Sequence, residues 1–238
     1  MLFRSSPRDD GQIVLATPIP GVAPESDLTV RAARLLQQAS ACTQGATIHL
    51  DKQLPMGGGL GGGSSDAATV LLALNHLWQT GLSRPALEKI GLGLGADVPV
   101  FIHGQNTFAE GVGEHFTDVT LPASHYLVLH PPVNVPTGVI FGAPELVRNT
   151  PRINPADWHP GVGHNDLEAV ACKHFPAVAE HLALLRQSSP RAMMTGSGAC
   201  VFAGFSTQEA AEGALAGLPD GIDGWIAKGL DEHPLARL

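Results

Sequence analysis

A run of glycines between a predicted strand and a predicted helix constrains this chain more than any other feature. Six of the seven residues from Gly57 to Gly63 are glycine, and Ser64, Ser65 and Asp66 follow them. Glycine tolerates positive φ and lets the backbone approach a ligand closely. The first N–H groups of a helix lack intrahelical partners and carry a partial positive charge. The run therefore predicts a phosphate-binding loop made of backbone amides, with two serine hydroxyls beside the phosphates or a magnesium ion.

Other glycine-rich loops fit this sequence less well. A Walker A loop ends in Gly-Lys-Ser/Thr, and no lysine follows Gly63. A GxGxxG match exists at Gly57, Gly59 and Gly62, but a run of glycines produces that match trivially. The dinucleotide fold also requires a strand soon after the helix, whereas a second helix is predicted here. A flexible linker remains the alternative, and it is disfavoured because a strand and a tightly apolar helix flank the run.

Composition limits the classes of partner. The chain has 238 residues and a formal net charge of −8, so a phosphate-backbone binder with a basic face is not expected, and no nucleic-acid partner is predicted. No apolar stretch is long enough to span a bilayer and the start lacks a signal peptide, so no membrane partner is expected. Three distant cysteines and eleven histidines without ligand spacing predict a cytoplasmic protein with no metal-binding residues of its own.

The pattern of apolar residues predicts an α+β protein, because strands and helices occur without strict alternation. A turn at Asp9–Gly11 is expected to close a hairpin, and Ser26 is expected to cap the first helix. The proline-rich stretch 131–160 is predicted to be an inter-domain or substrate-side connection. Predicted strands cover 13–15, 47–51, 106–109, 126–129, 192–194, 199–205 and 225–227, with a further apolar run at 98–102. Predicted helices cover 67–78, 165–174, 176–187 and 207–217, with others from Asp27 and from Ser83, the latter with Pro85 in its first turn.

Four sequence motifs resemble those of the GHMP kinases. The segment Pro55–Ala68, P-M-G-G-G-L-G-G-G-S-S-D-A-A, is similar to that family's P-x-x-x-G-L-G-S-S-A-A phosphate loop. Leu94–Phe101 resembles G-[SA]-D-V-P-F-F, Asn165–Glu168 resembles N-D-L-E, and Thr195–Cys200 resembles the third glycine motif. Order and spacing agree from about Arg8 to the end of the chain. Within the family, the resemblance is strongest to members that act on a cytidyl sugar alcohol.

The resemblance implies a two-domain GHMP kinase fold. Residues 1–122 would form the N-terminal ATP-binding domain, which is ribosomal protein S5 domain 2-like and here lacks its first strands. Residues 123–238 would form a ferredoxin-like C-terminal domain. The implied activity is phosphorylation of a hydroxyl group of 4-diphosphocytidyl-2-C-methyl-D-erythritol in the non-mevalonate isoprenoid pathway. ATP and Mg²⁺ are the implied cofactors, the small cytidyl substrate is the implied partner, and the protein would be a monomer or a homodimer.

The resemblance also implies roles for individual residues. Asp97 matches the catalytic aspartate, which would orient the substrate hydroxyl and accept its proton; without the resemblance it is equally well a structural residue before Pro99. Thr137 and Phe141 match substrate contacts, with Phe141 stacking on the cytosine. Lys52 falls where the family places a residue near the adenine; without the resemblance, a solvated surface lysine is a reasonable alternative. The remaining nucleotide-binding residues implied are Pro55, Met56, Gly57, Gly58, Gly59, Leu60, Gly61, Gly62, Gly63, Ser64, Ser65, Thr195 and Gly196.

Two family motifs have no counterpart in this sequence. The family opens with P-A-K-[IL]-N-L and continues to D-G-[YF]-H, and neither is present. The family's catalytic lysine is therefore unmatched, which predicts weak ATP binding and little turnover for the chain as given. Either the start is placed late or the protein is impaired. The alternatives to the cytidyl substrate are another small alcohol, such as homoserine or mevalonate, and a non-catalytic nucleotide-binding relic.

Overall fold

The computed structural model describes residues 2–238 and divides into two compact units. Of the described residues, the first unit contains those up to 53 together with 61–120 and 231–238, and the second contains 54–60 and 121–230. Residue 1, at which the predicted first domain begins, lies outside the described residues. The glycine run is thus shared: its first part belongs to the second unit, and the part from Gly61 onward belongs to the first unit.

A three-stranded sheet forms one layer of the first unit. Its strands are β1 (Leu2–Arg8), β2 (Ile13–Leu15) and β3 (Gly45–Asp51), in the order β1-β3-β2. β1 pairs antiparallel and β2 pairs parallel to β3. The sequence did not predict β1, which contains a proline; Pro7 is accommodated because β1 is an edge strand. The hairpin expected at Asp9–Gly11 is wrong, because β3 lies between the two strands that this turn connects.

Four helices and a hairpin complete the first unit. They are α1 (Leu28–Ser40), α2 (Gly62–Leu77), α3 (Arg84–Leu92) and α4 (Val98–His103), with the hairpin strands β4 (Thr107–Glu110) and β5 (His115–Asp118). The apolar run 98–102 is therefore helical, and β5 was missed. Asp27, not Ser26, caps α1, because its Oδ1 accepts the N–H of Thr29 at 2.8 Å. Ser83 is the residue before α3, as predicted, although its side chain makes no capping bond.

Helix α2 is the centre of the core of the first unit. Ala67, Ala68, Val70, Leu71, Leu72 and Leu74 lie on more than one face of the helix and are all buried, which confirms the prediction that this helix is enclosed nearly all round. It packs against α1 and α4. Trp78, at its C-terminal end, donates its Nε1–H to the carbonyl oxygen of Gly45 at 3.1 Å and so ties the helix to β3.

The second unit is built on a four-stranded antiparallel sheet. Its strands are β6 (His125–Leu129), β7 (Met193–Met194), β8 (Val201–Phe205) and β9 (Gly224–Lys228), in the order β7-β8-β6-β9. The helices are α5 (Thr137–Gly142), α6 (Asp166–His174), α7 (Pro176–Ser188) and α8 (Gln208–Ala216). Chain order and strand order together are those of a ferredoxin-like fold. The predicted strands and helices are confirmed here to within two residues at each end, and α5 lies inside the predicted connection.

No helix among residues 2–238 combines the length and the hydropathy needed to cross a bilayer.

Candidate active site

Three successive carbonyl groups of the glycine loop face one neighbouring turn. The loop, Leu54–Leu60, packs in the second unit against the turn Thr195–Gly198 and the residues after it. Gly57 O accepts the N–H of Ala199 at 3.2 Å, and Gly58 O accepts the N–H of Cys200 at 3.1 Å. Gly59 O accepts the hydroxyl of Thr195 at 2.9 Å. The third glycine motif therefore holds the loop through three successive carbonyl oxygens.

This arrangement leaves a row of N–H groups directed the other way. In a trans peptide the C=O and the next N–H point in opposite directions, so the amides of Gly58, Gly59 and Leu60 point away from the turn. None of these three N–H groups donates to an acceptor within the described part of the chain. The backbone φ is +72° at Gly57, +70° at Gly59 and +67° at Gly61, and it is not positive at the residues between them. Such alternation gathers successive N–H groups into a concave anion-binding nest.

Glycine is required at Gly59 for two reasons. Its φ lies in the left-handed region, and a Cβ there would lie 2.3 Å from the carbonyl oxygen of Thr195 and 2.8 Å from that of Gly198. Gly196, on the facing turn, has φ +53°, and its Cβ would lie 3.0 Å from Gly59 O. The two glycines thus allow two backbone segments to approach closely, which explains why glycine stands at these two positions.

Helix α2 begins inside the glycine run. Gly61 is its N-cap in the left-handed conformation, and the helix starts at Gly62, not at Ala67 as predicted. The first backbone bond is from the N–H of Ser65 to Gly61 O at 2.9 Å. The N–H groups of Gly62, Gly63 and Ser64 therefore have no intrahelical acceptor. They are three further backbone donors, at the end of the helix that carries the partial positive charge.

Lys52 and Asp66 form an ion pair in the first unit. The Lys52 Nζ contacts Asp66 Oδ2, and the Asp66 side chain is 1% exposed whereas that of Lys52 is 25% exposed. Burial raises the pKa of the Asp66 carboxyl above its usual value, although the Lys52 ammonium acts in the opposite direction. Asp66 Oδ1 has no hydrogen-bond partner within residues 2–238. Lys52 is therefore held beside the first turn of α2, close in the chain to Ser64 and Ser65.

Asp97 lies at the N-terminal end of α4 and is exposed. Its carboxylate makes no hydrogen bond or ion pair with any other described residue. Phe101 is four residues further along α4, on the same face, and the tip of its ring would lie 3.0 Å from a Cβ on Gly61. Asp97 thus lies one helical turn before Phe101, the residue of α4 whose ring approaches the start of α2.

Thr137 and Phe141 lie one helical turn apart on α5, in the second unit. The Thr137 hydroxyl is 3.0 Å from that of Ser197 in the turn Thr195–Gly198. Phe141 is 51% exposed, which is unusual for a phenylalanine and suits a stacking surface. It lines an open cavity of about 530 Å³ whose wall also includes Gly196, Arg148 and Asn165.

The N-D-L-E motif holds the third glycine motif in place. Asn165 donates from Nδ2 to the carbonyl oxygens of Met194 and Gly196, and Glu168 accepts the N–H of Met194. Sequence reasoning found this motif but gave it no role. The signal was a capping pattern, Asn followed three residues later by Glu, which does not reveal a distant partner. No three His, Cys, Asp or Glu side chains among the described residues lie close enough together to hold a metal ion.

Comparison with known proteins agrees with these motifs. The family described as GHMP kinases N terminal domain matches residues 27–105. A protein of Dechloromonas aromatica named 4-diphosphocytidyl-2-C-methyl-D-erythritol kinase is 74% identical over 99% of this chain and 86% of its own length. A protein of the same name from Thiobacillus denitrificans is 58% identical over 96% of this chain and 82% of its own length.

A solved structure extends the agreement to the whole fold. The crystal structure of a 4-(cytidine 5'-diphospho)-2C-methyl-D-erythritol kinase matches with a TM-score of 0.73 and 30% sequence identity. The match covers 95% of this chain and 84% of that one, which confirms the α+β GHMP kinase fold. The chain belongs to the 4-diphosphocytidyl-2-C-methyl-D-erythritol kinase family of GHMP kinases.

Proposed function

We propose that the protein transfers the γ-phosphoryl group of ATP to a hydroxyl group of 4-diphosphocytidyl-2-C-methyl-D-erythritol, a step of the non-mevalonate isoprenoid pathway. The relatives that bear this substrate's name, at 74% and 58% identity, support the choice of substrate. The observation that carries the proposal is the row of backbone N–H groups at Gly58, Gly59 and Leu60 in the glycine loop, which donate to no acceptor among residues 2–238. These neutral donors suit a triphosphate on a protein whose net charge is −8.

The nucleotide would be held by backbone groups rather than by cationic side chains. The amides of Gly58–Leu60 and those of Gly62–Ser64 would donate to phosphate oxygens, and Thr195 and Gly196 would keep the loop in position. Pro55 and Met56 lead into the loop, and Lys52 is proposed to lie on the adenine side. Its pairing with Asp66 fixes the direction of the lysine side chain, which supports an orienting role.

Asp97 is the proposed catalytic residue. Its carboxylate would accept the hydroxyl proton while the hydroxyl oxygen forms a bond to the γ-phosphorus. The bond between that phosphorus and the β,γ-bridging oxygen breaks, so ADP leaves with the electron pair. The exposed Asp97 carboxylate, which has no partner among the described residues, suits a group that must approach a substrate.

A magnesium ion fits this site only if it binds together with the nucleotide, through the phosphate groups. The described residues provide no cluster of carboxylates for it, whereas the hydroxyl of Ser64 or Ser65 would lie beside the bound phosphates. Mg²⁺ typically keeps several waters and binds through substrate phosphates and one or two protein groups. When bound, it would neutralise charge that develops on the phosphate oxygens.

The cytidyl end of the substrate is proposed to occupy the cavity beside α5. Phe141 offers an exposed aromatic face on one wall, and cytosine is a flat ring that stacks on such a face. Thr137, one turn away, presents a hydroxyl group near Ser197. We propose that residues 1–122 form the ATP-binding domain and residues 123–238 the C-terminal domain, a division from which the two compact units differ mainly at 54–60 and 231–238. We also propose a cytoplasmic location and a monomer or homodimer, to be distinguished by sedimentation velocity.

A coupled ADP-release assay tests the proposal. The protein is incubated with ATP, Mg²⁺ and the cytidyl substrate, and homoserine and mevalonate serve as comparison substrates. We expect ADP release with the cytidyl substrate alone, at the low rate predicted from the unmatched family lysine, and ³¹P NMR should show a new phosphate monoester in the product. Asp97→Asn should reduce the rate by about 100-fold or more while leaving the affinity for ADP unchanged.

Two results would separate the alternatives. ADP binding with no turnover of any substrate would favour the nucleotide-binding relic over the kinase. Turnover of homoserine or mevalonate at a rate similar to that of the cytidyl substrate would contradict the assigned specificity. A protein that binds neither ATP nor ADP would contradict the role of the glycine loop.

A further inference from the structure

The residues of the N-D-L-E motif contact the third glycine motif and not the glycine loop itself. We propose that Asn165 and Glu168 are positioning residues for nucleotide binding: they hold the turn Thr195–Gly198, which in turn holds the carbonyl groups of the glycine loop. This inference rests on the proposed role of that loop in binding the nucleotide, and it assigns a role to a motif that substrate contacts do not explain.

Both amide N–H donors of Asn165 are used in hydrogen bonds within the protein. Its Oδ1 accepts the N–H of Leu167 at 3.0 Å and so caps α6. Its Nδ2 donates to Met194 O at 2.9 Å and to Gly196 O at 2.7 Å. An asparagine amide has two N–H donors, and both are used. Asn165 therefore has no donor left for a ligand, even though it lines the cavity beside Phe141.

Glu168 fixes the same segment from one helical turn further along α6. Its Oε2 accepts the N–H of Met194 at 2.9 Å, and its Oε1 accepts from Arg186 Nη2 at 2.7 Å. Arg186 also donates from Nε to Ala192 O at 3.1 Å. The Glu168 side chain is only 17% exposed, and its burial strengthens these charge-assisted bonds. Two helices thus clamp the residues that enter the turn.

The turn needs such a clamp because its own strand is very short. β7 has only two residues, Met193 and Met194, which pair with Phe202 and Val201 of β8. The turn and the two residues after it nevertheless supply three bonds to the loop, from the hydroxyl of Thr195 and from the N–H groups of Ala199 and Cys200. A displacement of the turn would rotate the peptide groups of the loop and misdirect the N–H groups on their opposite side.

The substitution Asn165→Ser tests the two hydrogen bonds from Asn165 to Met194 and Gly196, here called the clamp, without removing the helix cap. Serine is a good N-cap residue, so the bond to the N–H of Leu167 is retained, while both donations to the turn are lost and no charge is introduced. Asn154→Ser is the matched control. Asn154 caps the short helix 155–157 in the same way, through Oδ1 to the N–H of Ala156 at 3.0 Å, and its side chain makes no hydrogen bond to the turn among the described residues.

Hydrogen exchange in the ligand-free protein gives the direct readout. In Asn165→Ser the amides of Ala199 and Cys200 should exchange about tenfold faster than in the wild type, because the turn that positions them loses two hydrogen bonds. ADP affinity, measured by calorimetry, should fall about tenfold. The melting temperature should change no more than in Asn154→Ser, whose exchange and ADP affinity should match the wild type.

The two hypotheses fail in different ways. If the wild type does not bind ADP, the proposed function is wrong, while the exchange of Ala199 and Cys200 still tests the clamp. If the wild type binds ADP and Asn165→Ser leaves both exchange and affinity unchanged, the positioning role is wrong. If Asn165→Ser does not fold, Glu168→Gln serves instead: it keeps an acceptor for Met194 but loses the ion pair with Arg186, so the same two readouts should move in the same direction by a smaller factor.

Discussion

Replacing Gly59 with alanine should disrupt the glycine loop more than an ordinary glycine substitution. The change places a Cβ 2.3 Å from Thr195 O and 2.8 Å from Gly198 O, at a residue with φ +70°. Left-handed strain costs about 1–2 kcal/mol, and overpacking against backbone atoms costs about 1–3 kcal/mol more. The sum is about 3 kcal/mol, which for a chain of this length corresponds to a fall in melting temperature of about 6–12 °C.

Alanine substitutions at two other glycines of the second unit distinguish the cost of backbone strain from the cost of the steric clash. Gly221 has φ +87°, and a Cβ added there would meet nothing within 4 Å, so Gly221→Ala adds strain without a clash and should lower the melting temperature by about 2–8 °C. Gly213 lies within α8, has no positive φ and has open space around it. Gly213→Ala should therefore leave the protein unchanged or stabilise it by up to about 1 kcal/mol.

Nucleotide affinity decides whether the loop is the binding element. ADP binding is measured by calorimetry well below the melting temperature of each variant. Gly59→Ala should weaken ADP binding by at least about tenfold, because the displaced loop no longer aligns its N–H groups, while the two control variants should bind like the wild type. If Gly59→Ala matches Gly221→Ala in both melting temperature and ADP affinity, the close approach of loop and turn is not what aligns the N–H groups.

Three further predictions concern charge and protonation. In Lys52→Ala the Asp66 carboxylate loses its partner, so its raised pKa should rise further. Stability from a raised carboxyl pKa is present in acid and is lost as the pH rises through the folded-state value. Melting curves should therefore show that Lys52→Ala is destabilised relative to the wild type by an amount that grows from pH 4 to pH 8, to roughly 2 kcal/mol. A loss of stability that does not depend on pH would contradict this prediction. Burial raises the pKa of the Cys200 thiol to about 11, so iodoacetamide at pH 8.5 should alkylate the half-buried Cys42 well before Cys200, as mass spectrometry would show. Stability tied to the Cys200 thiol should be full below about pH 8.5 and should be lost as the pH rises toward 11, and Cys200→Ala should remove that dependence.

Local patterns in the sequence predicted most elements of the fold because those elements have local causes. The apolar face of α1 formed by Val30, Ala33 and Leu36 is buried as expected. The predictions that were wrong concern elements whose structure depends on contacts with distant parts of the chain. Helix α2 starts at Gly62, because a helix can begin in glycines when the residues after them are buried, as Ala67 is. β1 was missed because its polar residues and Pro7 resemble a loop until the pairing with β3 is known.

The sequence located the phosphate loop but not the contacts that hold it. The loop residue Gly59 and its partner Thr195 are 136 residues apart in the chain, and Asn165 lies 31 residues before Gly196. Neither separation leaves a local pattern. The sequence showed that Asn165 could cap a helix. It did not show the second function of this side chain, which depends on the NH₂ group that the capping bond leaves free. The ion pair of Lys52 with Asp66 was hidden for the same reason.

The direction of the loop carbonyls explains how a chain with net charge −8 can be built for a polyanion. A peptide group presents a donor on one side and an acceptor on the other, so a loop that offers its N–H groups to phosphate must place its carbonyls elsewhere. A carbonyl that faced the phosphates would repel them, and one buried without a partner would cost free energy. The turn Thr195–Gly198 and the residues after it meet this requirement by donating to Gly57, Gly58 and Gly59. The third glycine motif is therefore the structural complement of the first, and neither can change its backbone course unless the other changes too.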